Sequence, residues 1–145
     1  MEDWSKGDVV VSVDPMRQPV ASTRRASVLL VDDEPILLRG LKRSLSDHDV
    51  MTATSVEQGF QLYSDHEFDI VFCDLMMPES SGLEFYTRLS ELGPEHAERL
   101  VLMTGGIFSE RLGCSLSEMP SPCILKPFSS DQLERFIDQA LVRGR

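Results

Sequence analysis

The sequence predicts a single α/β domain in which strands and helices alternate around a mostly parallel sheet. Three observations carry this. Short apolar runs recur with room for a helix between successive ones. The intervening stretches repeat apolar residues at helical spacing, and the runs end on polar residues capable of chemistry.

The bulk numbers agree. A chain of 145 residues is the size of one ordinary domain and can bury a real core without staples. At 41% hydrophobic and 26% charged it has a globular composition. No apolar run reaches membrane-spanning length, and the acidic start is short of the apolar residues of a secretory leader, so no membrane insertion is expected. Three cysteines (Cys73, Cys114, Cys123) are an odd number without Cys-x-x-Cys spacing, which suits reduced thiols in a cytoplasm. A net charge of −10 disfavours direct nucleic-acid binding and fits basic partners or a site that gathers cations.

Residues 1–26 differ from the rest. The β-branched run Val9-Val10-Val11-Ser12-Val13 is followed by Asp14-Pro15, Pro19, Ser22-Thr23 and Arg24-Arg25, without helical periodicity. Proline and small polar residues of this kind predict a tail or linker, with the domain occupying 27–145.

From residue 27 the pattern is regular. Ser27-Val28-Leu29-Leu30-Val31 is a continuous apolar run, as in a strand buried on both faces. It stops at Asp32-Asp33-Glu34-Pro35, with proline at a helix start, and Ile36, Leu37, Leu41 and Leu45 follow at helical spacing. His48 to Ala53 reads as a weaker strand, and Val56, Phe60 and Tyr63 mark the next helix. Asp69-Ile70-Val71-Phe72-Cys73 is a second strongly apolar strand, ending at Asp74. Ser81-Gly82 opens a helix with Leu83, Tyr86 and Leu89 on one face. Arg99 to Met103 is a strand stopping at Thr104-Gly105-Gly106, and a short, poorly patterned helix is expected over residues 109–118. Pro122-Cys123-Ile124-Leu125 is the last strand, ending at Lys126-Pro127, itself a candidate for a cis turn. Leu133, Phe136, Ile137, Ala140 and Leu141 define a final amphipathic helix capped by Ser129 or Ser130.

Five strands alternating with five helices imply right-handed crossovers and a sheet covered on both faces. In such sheets ligands bind outside the carboxyl ends of the strands. Four of the five strand ends carry polar residues: Asp32 and Asp33, Asp74, Thr104, and Lys126. Three converging carboxylates repel one another and call for a cation. Magnesium fits, since it prefers oxygen ligands and works beside phosphates, with Mn2+ as an alternative. Asp33 and Asp74 would bind it directly, Asp32 directly or through water, and the backbone carbonyl of Met76 would be a further ligand. No histidine or cysteine is placed to favour zinc.

An ionised carboxylate can also attack phosphorus and form an acyl phosphate, and Asp74 is the best placed to do so. Metal, the Lys126 ammonium, the Thr104 hydroxyl and backbone N–H groups would hold the phosphoryl oxygens. Thr104 can swing its hydroxyl toward such a group, and Gly105-Gly106 let the backbone come close.

In these residues the chain resembles the response-regulator receiver family of two-component signalling. The marks are Val28-Leu29-Leu30-Val31-Asp32-Asp33-Glu34, Asp74-Leu75-Met76-Met77-Pro78, Thr104-Gly105 and Lys126-Pro127-Phe128, spread over residues 27 to 142. Order, spacing and strand-end placement agree, which makes the set specific where any one motif is weak. The resemblance implies a flavodoxin-like, doubly wound five-stranded sheet of order 2-1-3-4-5. It implies Asp74 as phosphoacceptor, Asp32 and Asp33 as the acidic metal pair, Thr104 as switch and Lys126 as phosphate contact. It also implies a histidine kinase or histidine phosphotransfer domain as donor, with catalysis limited to the domain's own phosphotransfer and dephosphorylation. Output would be a phosphorylation-dependent partner interaction or onward phosphotransfer.

One departure stands out: Cys123 sits three positions before the lysine, where the family often has an aromatic residue that rotates with the threonine. A small thiol cannot make that swing. The Met103-Thr104-Gly105-Gly106 stretch and compact fourth helix resemble receivers attached to hybrid histidine kinases. That weak helix predicts a monomer or weak dimer.

Plainer readings exist for each residue alone. Asp32-Asp33 is a helix cap in many chains, Asp74 a strand end and Lys126-Pro127 a surface turn. Cys73 and Cys123 read as small core residues, Met76 and Met77 as packing groups. His48, His66 and His96 read as surface residues, and Asp65, Glu67 and Asp69 as a solvated turn. Two rival functions are weaker. A constitutive binding module would have lost an acidic residue, the threonine or the lysine. An aspartyl-phosphate hydrolase would want aspartate at position 76, which is methionine.

Overall fold

The computed structural model describes residues 25–105 and 118–144. Five parallel strands, β1 (Ser27–Val31), β2 (Asp49–Ala53), β3 (Ile70–Asp74), β4 (Leu100–Thr104) and β5 (Cys123–Leu125), form one sheet of order β2-β1-β3-β4-β5. The described helices are α1 (Pro35–Ser44), α2 (Val56–Asp65), α3 (Gly82–Leu92), the four-residue α4 (Pro94–Ala97) and α5 (Ser130–Arg143). The sheet and its strand order are those expected, with strand bounds moved by a residue at most places.

Alternation along each strand explains the two cores. Val28, Leu30, Ile70, Phe72, Val101 and Met103 face one side and pack with Leu38 and Leu41 of α1 and Leu133, Ile137 and Leu141 of α5. Leu29, Val31, Val71, Cys73, Leu100 and Leu102 face the other and pack with α2 and α3 through Val56, Tyr63, Phe85 and Leu89. Helix starts are fixed locally. Ser55 and Ser81 accept from the N–H of Gln58 and Glu84, and Ser129 with Gln132 forms a reciprocal capping box.

Three expectations differ or fall partly outside the described residues, and one helix is additional. Ile36 is 77% exposed, because the buried face of α1 runs through Leu38 and Leu41, which places Ile36 on the opposite side. Helix α4 was not foreseen, since four residues are too few to show a period. The helix expected over residues 109–118 lies, apart from Glu118, outside the described residues. Of the expected linker only Arg25 and Ala26 are described: Arg25 pairs with Asp49, and the buried Ala26 accepts the Asp49 N–H.

Candidate functional site

The strand ends do converge. Asp32 follows β1 directly, held by its N–H to the Ala53 carbonyl at 3.0 Å, and is fully buried. Its Oδ1 accepts the Glu34 N–H at 3.0 Å, and its Oδ2 accepts the Lys126 ammonium at 2.8 Å. Asp74 is the last residue of β3, 6% exposed, with Oδ2 3.6 Å from Lys126 Nζ and Oδ1 3.4 Å from the Met76 N–H. Asp32, Asp33 and Asp74 each offer a carboxylate oxygen, and these oxygens lie within 4.8 Å of one another.

The other expected residues lie on β4, on β5 and in the loops that follow the strands. Thr104 ends β4 with its buried hydroxyl donating to the Gly105 carbonyl at 3.2 Å. The Thr104 carbonyl accepts the Lys126 N–H at 2.7 Å, so β4 sets where the lysine stem begins. Gly105 is exposed, and the Lys126–Pro127 peptide is cis. Gly106 lies outside the described residues. Cys123 is half-buried with Sγ donating to the Ser121 carbonyl at 3.7 Å, and burial pushes its thiol pKa up. Met76 and Met77 pack against the α2 and α3 core.

The electrostatics are those of a site short of positive charge. Burial first, then the Asp32 charge, pushes the Asp74 carboxyl up to about 6, against the pull of Lys126 and the Met76 N–H. Burial likewise raises Asp32, opposed by its hydrogen bond to Lys126. Burial works against the Lys126 ammonium, but the hydrogen bond to Asp32 and the Asp74 charge hold its pKa above the ordinary value. One ammonium thus meets Asp32 and Asp74, two of the three clustered carboxylates. The donor set is oxygen only, which fits a hard divalent cation and not zinc. Among the described residues this is the one group of three His, Cys, Asp or Glu side chains placed to hold a metal.

Sequence reading missed some polar residues elsewhere. His48 is buried rather than on the surface, with Nδ1 accepting the Ala26 N–H and Nε2 meeting Glu134. The Asp69 carboxylate is not simply solvated, since it accepts the Ser27 N–H at 2.8 Å. His96 and Arg99 both hydrogen-bond the Tyr63 hydroxyl.

Fold and site together define a doubly wound α/β protein with an acidic, cation-seeking pocket at the carboxyl edge of its sheet. The chain belongs to the response regulator receiver domain family, whose model matches residues 28–138, and is a phosphoaccepting domain of two-component signalling. Transcriptional regulatory protein GlrR of Escherichia coli K12 is 30% identical over 122 residues, covering 83% of this chain and 27% of that protein. Virulence sensor protein BvgS of Bordetella pertussis is 30% identical over 125 residues, covering 81% of this chain and 10% of that protein. This chain therefore spans well under half the length of either relative. A response regulator receiver protein from Sinorhizobium medicae superposes with a TM-score of 0.67 at 25% identity, over 83% of this chain and 98% of the other. Among the described residues no helix is long and apolar enough to cross a membrane.

Proposed function

We propose that Asp74 is the phosphoacceptor and that Asp32, Asp33, Asp74 and the Met76 carbonyl hold Mg2+, or Mn2+ in its place. The single observation that supports this reading is the gathering of three carboxylate oxygens within 4.8 Å of one another, with Lys126 paired to Asp32 and Asp74, at the strand ends of a receiver fold. Bound there, the cation would neutralise the carboxylates and the incoming phosphoryl oxygens.

The chain's own residues do the rest. An Asp74 oxygen attacks the phosphorus of a phosphohistidine on a histidine kinase or phosphotransfer domain. A P–O bond forms while the P–N bond breaks, and its electron pair leaves on the imidazole nitrogen. Lys126, already between Asp32 and Asp74, balances the charge that arrives. The Thr104 hydroxyl exchanges its bond to the Gly105 carbonyl for a phosphoryl oxygen, with the Gly105 backbone beside it, and this exchange is the switch. Catalysis is confined to the domain's own phosphotransfer and dephosphorylation. The setting is the cytoplasm, and output is a phosphorylation-dependent partner interaction or onward transfer, without nucleic-acid contact by this chain.

The test is intact mass after incubation with acetyl phosphate and Mg2+, beside an Asp74→Asn variant. One added phosphoryl group is expected, lost with chelator and absent in the variant. No addition, where a control receiver is modified, would leave a constitutive binding module as the better reading.

A further inference from the structure

The glycine at position 82 is not explained by backbone conformation. It is the first residue of α3, and its φ lies outside the left-handed region; Gly93 is the glycine with a positive φ. The reason is space. A Cβ built at Gly82 would stand 2.5 Å from Leu102 Cδ2, 3.1 Å from the Asp74 carbonyl oxygen and 3.3 Å from Leu75 Cα. Leu102 is fully buried in β4, paired with Cys73 on β3 and Cys123 on β5, so a displaced Leu102 methyl must move within the core and not into solvent.

The loop from Asp74 to Gly82 closes on itself at the same place. The Gly82 N–H donates to the Leu75 carbonyl at 3.1 Å, and the Met77 N–H donates to the Ser80 carbonyl at 3.1 Å. Met76 and Ser81 form an antiparallel bridge. This clasp joins the start of α3 to the backbone on either side of Met76, immediately after Asp74. Any atom wedged between Gly82 and Leu102 must therefore push on Leu75 and Met76, not only on the helix.

We propose that Gly82 is a positioning residue for the acidic site: its bare Cα lets the clasp close over Leu102 and thereby sets where Asp74 and the Met76 backbone stand toward a divalent cation. The inference rests on the metal reading above and adds to it a residue that touches neither metal nor phosphoryl group. Groups that orient ligands in this indirect way typically change metal affinity by about 10- to 100-fold.

The probe is Mn2+, followed by calorimetry on protein whose folded fraction is checked by circular dichroism. Gly82→Ala should weaken Mn2+ binding by about ten-fold. Leu102→Val alone should bind as wild type, and the double variant should recover most of the loss, because shortening Leu102 removes the nearest clashing atom. Gly40→Ala is the control, since a Cβ there meets nothing within 4 Å. Wild-type affinity in folded Gly82→Ala overturns the proposal, and so does a double variant that binds no better than Gly82→Ala. If Gly82→Ala fails to fold, the double variant must fold and bind like Leu102→Val; its failure to fold would reduce Gly82 to a requirement for folding. Wild-type protein that binds no Mn2+ would instead sink the metal reading itself.

Discussion

Lys126 Nζ stands 2.8 Å from Asp32 Oδ2 and 3.6 Å from Asp74 Oδ2, so one ammonium bridges the ends of two adjacent strands from across the sheet. Asp32 is wholly buried, and its second oxygen is already committed to the Glu34 N–H. Removing the lysine therefore leaves a buried carboxylate oxygen without its hydrogen-bond partner. Breaking a buried pair costs about 3–5 kcal/mol, reduced here because the Lys126 side chain is 23% exposed. Lys126→Met should lower stability at pH 7 by about 1–3 kcal/mol in metal-free buffer, read from urea midpoints. Added Mg2+ should narrow the gap, since it supplies the missing positive charge. Equal midpoints in metal-free buffer would mean that the lysine does not offset the carboxylates.

The raised pKa of Asp74, about 6 against an ordinary 3.8, gives metal-free protein a definite pH dependence. Between these values the folded state keeps a proton that the unfolded chain has lost. Stability from this group is thus fully present below about 4 and is lost as pH rises past about 6. Asp74→Asn cannot lose that proton, so it should become more stable than wild type as pH climbs through this window. Mg2+ favours the charged carboxylate and should stabilise wild type more at pH 8 than at pH 5. Thermal melts of both proteins from pH 4.5 to 8, with and without Mg2+, check this. Parallel curves for wild type and variant would refute a raised Asp74.

Where the sequence was legible, the reason is physical. Strands buried on both faces must be apolar throughout, so the change to Asp32, Asp74, Thr104 and Lys126 is abrupt and marks the strand end. Parallel order then brings those ends to one edge. What escaped reading depends on distant partners. Leu38 rather than Ile36, two positions along, faces inward because of where α1 lies on the sheet. The need for glycine at 82 comes from Leu102, a neighbour only once α3 lies against β4. His48 looked like a loop residue because its partners, Ala26 and Glu134, lie far off in sequence in opposite directions.

His48 is buried immediately before β2, against Ala26. Its Nδ1 accepts the Ala26 N–H at 3.0 Å, so Nε2 carries the proton and donates it to Glu134 Oε1 at 2.9 Å. The ring thereby ties the start of β1 and the start of β2 to α5, beside Asp138, whose pKa is raised by burial and by Glu134 and lowered by His48. His48→Ala leaves the Ala26 N–H buried without its acceptor and Glu134 without its donor. Stranding such a buried group costs about 1–3 kcal/mol, which is the expected loss in urea unfolding. Glutamine has both an acceptor and a donor on one amide, so His48→Gln should retain more stability than His48→Ala. Glu134→Gln should cost less than either, because its side-chain oxygen still accepts from Nε2. If His48→Ala unfolds at the wild-type midpoint, the bridge contributes nothing; if Gln is no better than Ala, ring packing and not hydrogen bonding is what His48 supplies.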